Sequence, residues 1–324
     1  MTINIRRITQ KYGILFILIA MCLVFALLSP AFLRFSNVLN ILNQTAIWGI
    51  MALGMTFVII SKGIDLSVGS VLAFAGLVAA SLAQAPAQMK LYQNLPELPL
   101  VIPILAGLLV GTLCGAINGS LIAFTKIPAF IATLGMQTIA RGFALIYSNA
   151  RPVSNLTPAM NSIGSRAFGV MPIPILIYLF IFVISYILLN KTRFGKNTFA
   201  IGGNITAAEV SGVNVPKNLV MIYAYCGLLA GIAAIVFAGR VGSVHPGAAE
   251  GYELTAIAAT TIGGTSHSGG IGTIGGALIG ALILSVMRNG MTLLGFSPYS
   301  QKILEGLIIV GAVILDMRKN ARKG

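Results

Sequence analysis

Long apolar runs, separated by short polar or glycine-rich segments, dominate the chain. A helix needs roughly 20 apolar residues to cross about 30 Å of hydrocarbon, so these runs predict transmembrane helices. The runs are continuous and do not alternate with a period of two, which argues against a β-barrel. Ten candidate spans follow from the pattern, at residues 14–28, 45–61, 67–83, 100–124, 129–147, 172–189, 219–238, 254–262, 273–287 and 303–315.

The eighth run, 254–262, is too short to cross a membrane unless its glycine-rich flank continues it, so the basic residues are needed to judge it. With ten spans and a cytoplasmic N-terminus, thirteen Lys and Arg residues fall inside and seven outside. If the eighth run enters the membrane and leaves on the same side, eleven Lys and Arg residues fall inside and nine outside. The positive-inside rule therefore favours ten spans, with both termini in the cytoplasm. The expected architecture is an all-α integral membrane protein of about ten transmembrane helices, in a single domain over residues 1–324.

The composition supports a membrane protein, and in a membrane protein a net positive charge need not indicate nucleic-acid binding. Of the 324 residues, 57% are hydrophobic and 9% charged, whereas soluble domains carry about 25% charged residues. A net charge of +14 would indicate nucleic-acid binding if the basic residues clustered on one face. Here they lie between apolar runs, so they are interpreted as orienting the chain in the membrane, and no nucleic-acid partner is predicted.

Two glycine ladders indicate close contact between helices. Glycines four residues apart lie on one helical face and let a second helix approach closely. Each ladder leads to an Asn-Gly pair, Asn118-Gly119 and Asn289-Gly290, with a proline further on, which hints at an internal repeat. Ordinary glycine packing would also account for each ladder by itself. The ladder residues are Gly107, Gly111, Gly115 and Gly119 in the fourth run, and Gly272, Gly276 and Gly280 near the ninth.

Few charged residues lie near the hydrocarbon. Asp65, in the segment GIDLSVGS at 63–70, separates two apolar runs, and Ser67 could cap the helix that follows. The segment is either a broken helix whose N-terminus faces a polar substrate or an N-cap at the cytoplasmic membrane edge. In the last run, Glu305 is predicted to pair with Lys302 three residues away. Arg141 lies within the fifth run.

Neither an enzyme nor a metal or cofactor site is predicted. The pair Gly195-Lys196 is followed by Asn197 and has no glycine five residues earlier, so it is not a P-loop. The glycines in GGIGTIGG lack the preceding strand of a dinucleotide site, and His245, Glu250 and Glu253 lack metal-ligand spacing. Three isolated cysteines in apolar runs offer no disulfide framework. Any ATP-driven work would therefore need a partner protein.

Several longer motifs resemble a known family. The chain resembles the permease subunits of ribose-type monosaccharide ABC importers, and the motifs cover nearly all of it in order. After IGGTS, His267-Ser268 departs from the apolar and small residues that relatives often carry. The motifs are GIDLSVGS at 63–70, Asn118-Gly119, IPAFIATLG at 127–135, FAIGGN at 199–204, SGVNV at 211–215, GYEL at 251–254, AIAA at 256–259, IGGTS at 262–266 and Asn289-Gly290.

The resemblance implies a ten-helix permease in the bacterial cytoplasmic membrane that pairs with a second copy, identical or paralogous. It also implies a cytoplasmic sugar-importer ATPase and an extracytoplasmic sugar-binding protein as partners. The internal loop at about 190–216 would couple to the ATPase through a short helix near 206–212, capped by Asn204 or Thr206. The alternative is that this loop forms only an ordinary turn between two spans. The expected coupling residues are Gly203, Asn204, Ala207, Ala208, Glu209, Ser211 and Gly212.

A sugar offers hydroxyls and no charge, so uncharged polar residues in or beside apolar runs are candidates for the translocation pathway. Each of them could instead only bridge two helices. The external stretch 240–252 is the expected binding-protein surface, through His245, Glu250 and Tyr252. An ion-coupled secondary sugar transporter or a facilitator, working without an ATPase, is the alternative function. The pathway candidates chosen in this way are Asn43, Asn118, Thr133 and Gln137, and the segment 63–70 adds Asp65 and Ser67.

Overall fold

The computed structural model describes residues 5–86, 90–167, 169 and 171–321, which are almost entirely helical. Side chains are not described for 5–12, 315 and 317–321, so the basic residues near both termini lie outside the described side chains. Each of the ten apolar runs forms a helix. The elements are α1 (Ile5–Leu28), α2 (Phe35–Ile60), α3 (Val68–Leu82), α4 (Val101–Thr125), α5 (Ala129–Tyr147), α6 (Pro158–Ser162), β1 (Arg166–Ala167), β2 (Met171–Pro172), α7 (Ile173–Lys191), α8 (Arg193–Gly203), α9 (Ile205–Val210), α10 (Val215–Val241), α11 (Tyr252–Ile262), α12 (Ile274–Leu293) and α13 (Pro298–Ala321).

The helices differ in their ability to cross a bilayer alone. Within the described residues, six are long and apolar enough, namely α2, α4, α5, α7, α10 and α12. The apolar part of α1, Gly13–Leu28, and α3 are shorter. α11 has 11 residues, about 16 Å at 1.5 Å per residue, and cannot cross alone. The prediction of an all-α membrane protein is confirmed, while the number of ten crossings remains a prediction.

The central helix is α2. In its most apolar window 89% of the residues are buried, against 28% in α5, so α2 is surrounded by protein and α5 lies at the periphery. Leu53, Met55 and Phe57 are fully buried, whereas the outer face of α4 exposes Leu105 and Leu109. Exposed apolar side chains are the expected surface toward lipid tails, because lipid does not penalise them.

Both glycine ladders pack helices closely, as predicted. A Cβ on Gly115 of α4 would lie 2.1 Å from the Tyr223 carbonyl oxygen of α10, and one on Gly111 would lie 2.4 Å from the Gly227 carbonyl oxygen. A Cβ on Gly280 of α12 would lie 1.9 Å from the Ala259 carbonyl oxygen of α11. These helices therefore meet backbone to backbone, which only glycine allows.

The loops meet one another in two separate groups. In one group, the Gly270 N–H donates to the Ile60 carbonyl at 2.8 Å, and the His267 N–H donates to Asp316 Oδ2 at 3.0 Å. In the other group, Val153 and Val244 exchange two backbone hydrogen bonds of 2.8 and 2.9 Å. The first group joins segments that the ten-span topology places inside, and the second joins segments that it places outside.

A pH dependence follows from His267. Burial lowers the pKa of its imidazole, and the Asp316 carboxylate opposes that shift. The unfolded chain then binds a proton at a higher pH than the folded chain, so stability is complete above the unfolded pKa of about 6.5 and is lost as the pH falls below it. We expect this loss in thermal melts of the purified protein between pH 7.5 and 5. A His267→Asn variant should lack this component, and an identical profile in the variant would contradict the assignment.

Candidate functional site

A buried polar cluster forms where α2 ends and α3 begins. Asp65 Oδ1 accepts hydrogen bonds from the Ser67 backbone N–H at 2.9 Å and from the Ser67 hydroxyl at 2.6 Å. Asn118 of α4 donates its side-chain amide to Ser67 Oγ at 3.0 Å. All three residues are at most 1% exposed. Ser67 occupies the N-cap position, but its side chain makes no capping bond to α3, because Asp65 engages the hydroxyl instead.

Two further pathway candidates reach this region from α5. Thr133 Oγ1 lies 2.9 Å from its own-helix Ala129 carbonyl and 3.5 Å from the Ile64 carbonyl, beside Asp65. Gln137, one turn further along, donates to Glu253 Oε1 at 3.2 Å.

Asn43 lies apart from this cluster. It is on α2, and its Oδ1 is buried with no hydrogen-bond partner among the described residues. The structure therefore gathers five of the six predicted pathway residues around the start of α3 and leaves Asn43 outside.

A buried carboxylate lies beside this cluster, at a residue that the sequence analysis considered only as a metal ligand and not for the pathway. Glu253, in the first turn of α11, is 5% exposed. A Cβ on Gly69 of α3 would lie 2.2 Å from Glu253 Oε2, so the first turns of α3 and α11 are adjacent. Both helix N-termini favour negative charge there. The GYEL motif was the signal available, but the sequence could not place it against α3.

Arg141 of α5 holds the segment that leads into α11. Its guanidinium donates to the Pro246 carbonyl and, at 3.0 Å, to the Ala248 carbonyl. One turn earlier on the same helix, Gln137 bonds Glu253. The segment 242–251 is thus attached along α5. The Arg141 guanidinium thus donates its hydrogen bonds to backbone carbonyls. No sequence pattern indicates partners of this kind.

The predicted pair of Lys302 and Glu305 is wrong. Glu305 instead forms an ion pair with Arg288 of α12 and accepts a hydrogen bond from Thr255 Oγ1 at 2.7 Å. Arg288 stacks over the ring of Trp48, with its guanidinium carbon 4.2 Å from the ring centroid. Trp48 and Thr255 hold both members of this pair in place, so Arg288 and not the exposed Lys302 neutralises the buried acid.

The residues expected to face a binding protein do not share one environment. His245 and Glu250 are exposed, whereas Tyr252 is partly buried and packs edge-on against Trp48, with ring centroids 5.8 Å apart. Glu250 and Tyr252 line a cavity next to Arg288. His245 is thus the residue of the three that lies on the surface outside that cavity.

The predicted coupling loop forms two helices, α8 and α9. Asn204 caps α9, as one of the two alternatives predicted, because its Oδ1 accepts from the Ala207 N–H at 3.0 Å. Gly212 follows with a φ of +83°, which favours glycine. Val210, which the sequence analysis did not single out, is 86% exposed. Ala208 lies beneath this surface, 3% exposed and packed with Ile201 and Val215. The other predicted coupling residues are exposed, namely Gly203, Asn204, Ala207, Glu209, Ser211 and Gly212.

The end of α8 contacts α2 through what we name the glycine junction, formed by Ile60, Gly202, Gly269 and Gly270. A Cβ on Gly202 would lie 1.7 Å from the Ile60 carbonyl oxygen and 2.6 Å from the Gly270 nitrogen. A Cβ on Gly269 would lie 2.4 Å from the Gly202 carbonyl oxygen. The exposed surface of α9 is therefore connected by backbone contacts to the end of the central helix.

Substitution of Asp65 tests the cluster at the start of α3. Asp65→Ala would leave the Ser67 N–H without its acceptor, and a buried donor left unsatisfied costs about 1–3 kcal/mol. We expect a lower melting temperature for Asp65→Ala than for Asp65→Asn, which keeps an acceptor oxygen, in thermal unfolding of the detergent-purified protein. Equal melting temperatures for the two variants would contradict this role.

Comparison with known proteins agrees with the motifs. Residues 37–313 match the family described as branched-chain amino acid transport system / permease component. No solved structure matches the chain.

Three curated relatives cover nearly the whole chain. The ribose import permease protein RbsC of Bacillus subtilis (strain 168) is 43% identical over 316 residues, covering 97% of this chain and 95% of the relative. RbsC of Escherichia coli (strain K12) is 42% identical over 307 residues, covering 93% and 92%. The galactose/methyl galactoside import permease protein MglC of Escherichia coli (strain K12) is 39% identical over 322 residues, covering 97% and 96%. The resemblance to ribose-type import permeases is confirmed, and the chain belongs to the family of branched-chain amino acid transport system permease components.

Proposed function

We propose that this chain is the membrane-spanning subunit of an ATP-driven importer that carries a monosaccharide such as ribose or galactose. The observation that carries the proposal is the 39–43% sequence identity to import permeases for ribose and for galactose, over nearly the whole length of the chain. In this proposal, a separate ATPase in the cytoplasm supplies the energy, and an extracytoplasmic binding protein delivers the sugar to a pair of permease subunits.

The proposed topology has ten crossings and both termini in the cytoplasm. The contacts between loops support it, since each group of contacting loops contains segments from one predicted side. The 11 residues of α11 would complete the eighth crossing together with the segment 242–251, which descends beside α3 and α5. Irregular backbone is tolerated at such depth where protein surrounds it.

The proposed pathway runs beside the first turns of α3 and α11. Asp65, Ser67, Asn118 and Thr133 supply polar atoms there, and Gln137 and Glu253 continue the polar surface. Asn43 is the sixth proposed residue, separate from this group. Transport would proceed by rocking of packed helices that opens this region first to one side and then to the other.

The proposed contact with the ATPase is the exposed surface of α9. Val210→Asp places a charge where an apolar side chain is 86% exposed, and we expect it to weaken copurification of the ATPase about tenfold. The matched control is Val241→Asp, at the opposite end of α10 and 53% exposed, which should copurify normally. Normal copurification of the ATPase with Val210→Asp would remove α9 from the contact.

Reconstitution tests the proposed function against a transporter that works alone. We expect liposomes containing the permease, the ATPase and the binding protein to accumulate labelled ribose or galactose only when ATP is supplied. The permease by itself should accumulate no sugar, with or without an ion gradient. Accumulation by the permease alone would establish the ion-coupled alternative.

A further inference from the structure

A cavity of about 370 Å³ opens between α11, α12 and α13. We name it the outer cavity, because the ten-crossing topology places the end of α12 and the start of α13 outside. Glu250 and Tyr252 line it from the start of α11, Arg288 from α12, and Lys302 and Glu305 from α13. Its volume falls within the range of about 300–1,000 Å³ typical of small-molecule sites.

Two polar groups of the outer cavity, Arg288 and Glu305, are held in place before any solute binds. Glu305 is 7% exposed and accepts hydrogen bonds from Thr255 and Arg288. Arg288 also donates to Thr255 Oγ1 at 2.9 Å and stacks over Trp48. A solute entering the cavity would therefore meet oriented donors and acceptors beside aromatic surface, at little cost in side-chain ordering.

The charge of this arrangement favours a neutral solute. Arg288 and Glu305 neutralise each other, so neither must be separated from its partner to receive an uncharged hydroxyl. Glu250 and Lys302 add one charge of each sign to the wall. Tyr252 supplies apolar ring surface of the kind that the C–H face of a sugar ring contacts, and its ring packs edge-on against the buried Trp48, with ring centroids 5.8 Å apart.

We propose that the outer cavity is where a monosaccharide first docks on the permease, with Glu305 and Glu250 accepting hydrogen bonds from its hydroxyls. The inference deepens the proposed function and depends on it. It assigns the first contact to this subunit itself, in a cavity separate from the buried cluster at the start of α3. It also gives Glu250 and Tyr252 a role in holding the sugar, in addition to any contact with a binding protein.

The chain carries its own reporter for this site. Trp48 is its single tryptophan, and it contacts both Arg288 and Tyr252. We expect ribose or galactose, added to the purified permease in lipid nanodiscs without binding protein, to change Trp48 fluorescence in a saturable manner. Leucine should produce no change at the same concentrations. A response to leucine and not to sugar would overturn the proposal in favour of an amino-acid site.

Two variants and a control test the residues. Glu305→Gln removes the charge and keeps one acceptor oxygen in place of the two that Thr255 and Arg288 use, and we expect the apparent Kd for sugar to rise about tenfold. Glu250→Gln changes an exposed residue, so folding should be unaffected, and a weaker rise is expected. The control is Tyr299→Phe, on α13 and 80% exposed outside the lining, which should titrate like the wild type.

Sugar import by the reconstituted complex distinguishes failure of the docking-site proposal from failure of the proposed function. If the wild type imports sugar but Trp48 does not respond and both variants import normally, the outer cavity is not the docking site and the proposed function stands. If the wild-type complex imports no sugar under any condition, the proposed function itself fails. Slower import in both variants, relieved by excess binding protein loaded with sugar, is the result expected from a weakened first contact.

Discussion

Gly202→Ala is expected to abolish ATP-dependent import while the permease still inserts into the membrane. A Cβ at this position would lie 1.7 Å from the Ile60 carbonyl oxygen and 2.6 Å from the Gly270 nitrogen. Both are backbone atoms, which cannot rotate away as a side chain can. The end of α8 would have to separate from α2, so the glycine junction would no longer transmit movement of α9 to the central helix. We expect import to fall at least tenfold.

The adjacent glycine provides a matched control. A Cβ on Gly203 would meet none of the described residues within 4 Å, and its φ lies outside the left-handed region, so Gly203→Ala should import like the wild type. Uptake of labelled sugar and ATP hydrolysis should be measured on the same proteoliposomes, because loss of coupling reduces the sugar moved per ATP. Wild-type uptake by Gly202→Ala would show that the junction does not carry the coupling.

The second large effect is expected on folding. In Gly115→Ala, the new methyl group would lie 2.1 Å from the Tyr223 carbonyl oxygen, at the backbone contact between α4 and α10. Forcing an extra methyl group into a packed contact costs about 1–3 kcal/mol, and more where backbone must move. We expect a marked fall in the melting temperature and in the yield of monodisperse protein during size-exclusion chromatography in detergent.

Gly135 of α5 is the control for this experiment. Within the part of the chain that the structure describes, a Cβ there would meet nothing within 4 Å, and alanine is a better helix former than glycine by up to about 1 kcal/mol. Gly135→Ala should therefore melt at the same temperature as the wild type or slightly above it. If Gly115→Ala behaves in the same way as Gly135→Ala, the close approach of α4 and α10 does not limit stability.

Much of the fold was predictable, because a bilayer leaves few options. Backbone groups in hydrocarbon must be satisfied within the chain, so long apolar runs form helices. Glycines spaced by four residues predicted close helix contacts, and Gly115 and Gly280 make them. The short helix capped by Asn204 was predictable for a similar reason, since a cap depends on residues three positions apart.

The interactions between distant parts of the chain were not predictable. Glu305 was assigned to Lys302 by spacing along one helix, whereas its partner Arg288 comes from another helix. Glu253 became a buried residue because the segment before α11 descends between α3 and α5, held by hydrogen bonds from Arg141 to backbone carbonyls. Such pairings depend on which helices become neighbours in space, and local periodicity carries no information about that.

The contact between α4 and α10 has a mechanical consequence. Where two backbones touch through Gly111, Gly115 and Gly227, no side chain is available to change rotamer and absorb a displacement. These two helices should consequently move as one rigid body during the transport cycle. Sliding is more readily accommodated along α5, where Gln137 and Arg141 reach their partners through long side chains that can exchange one acceptor for another without breaking the packing.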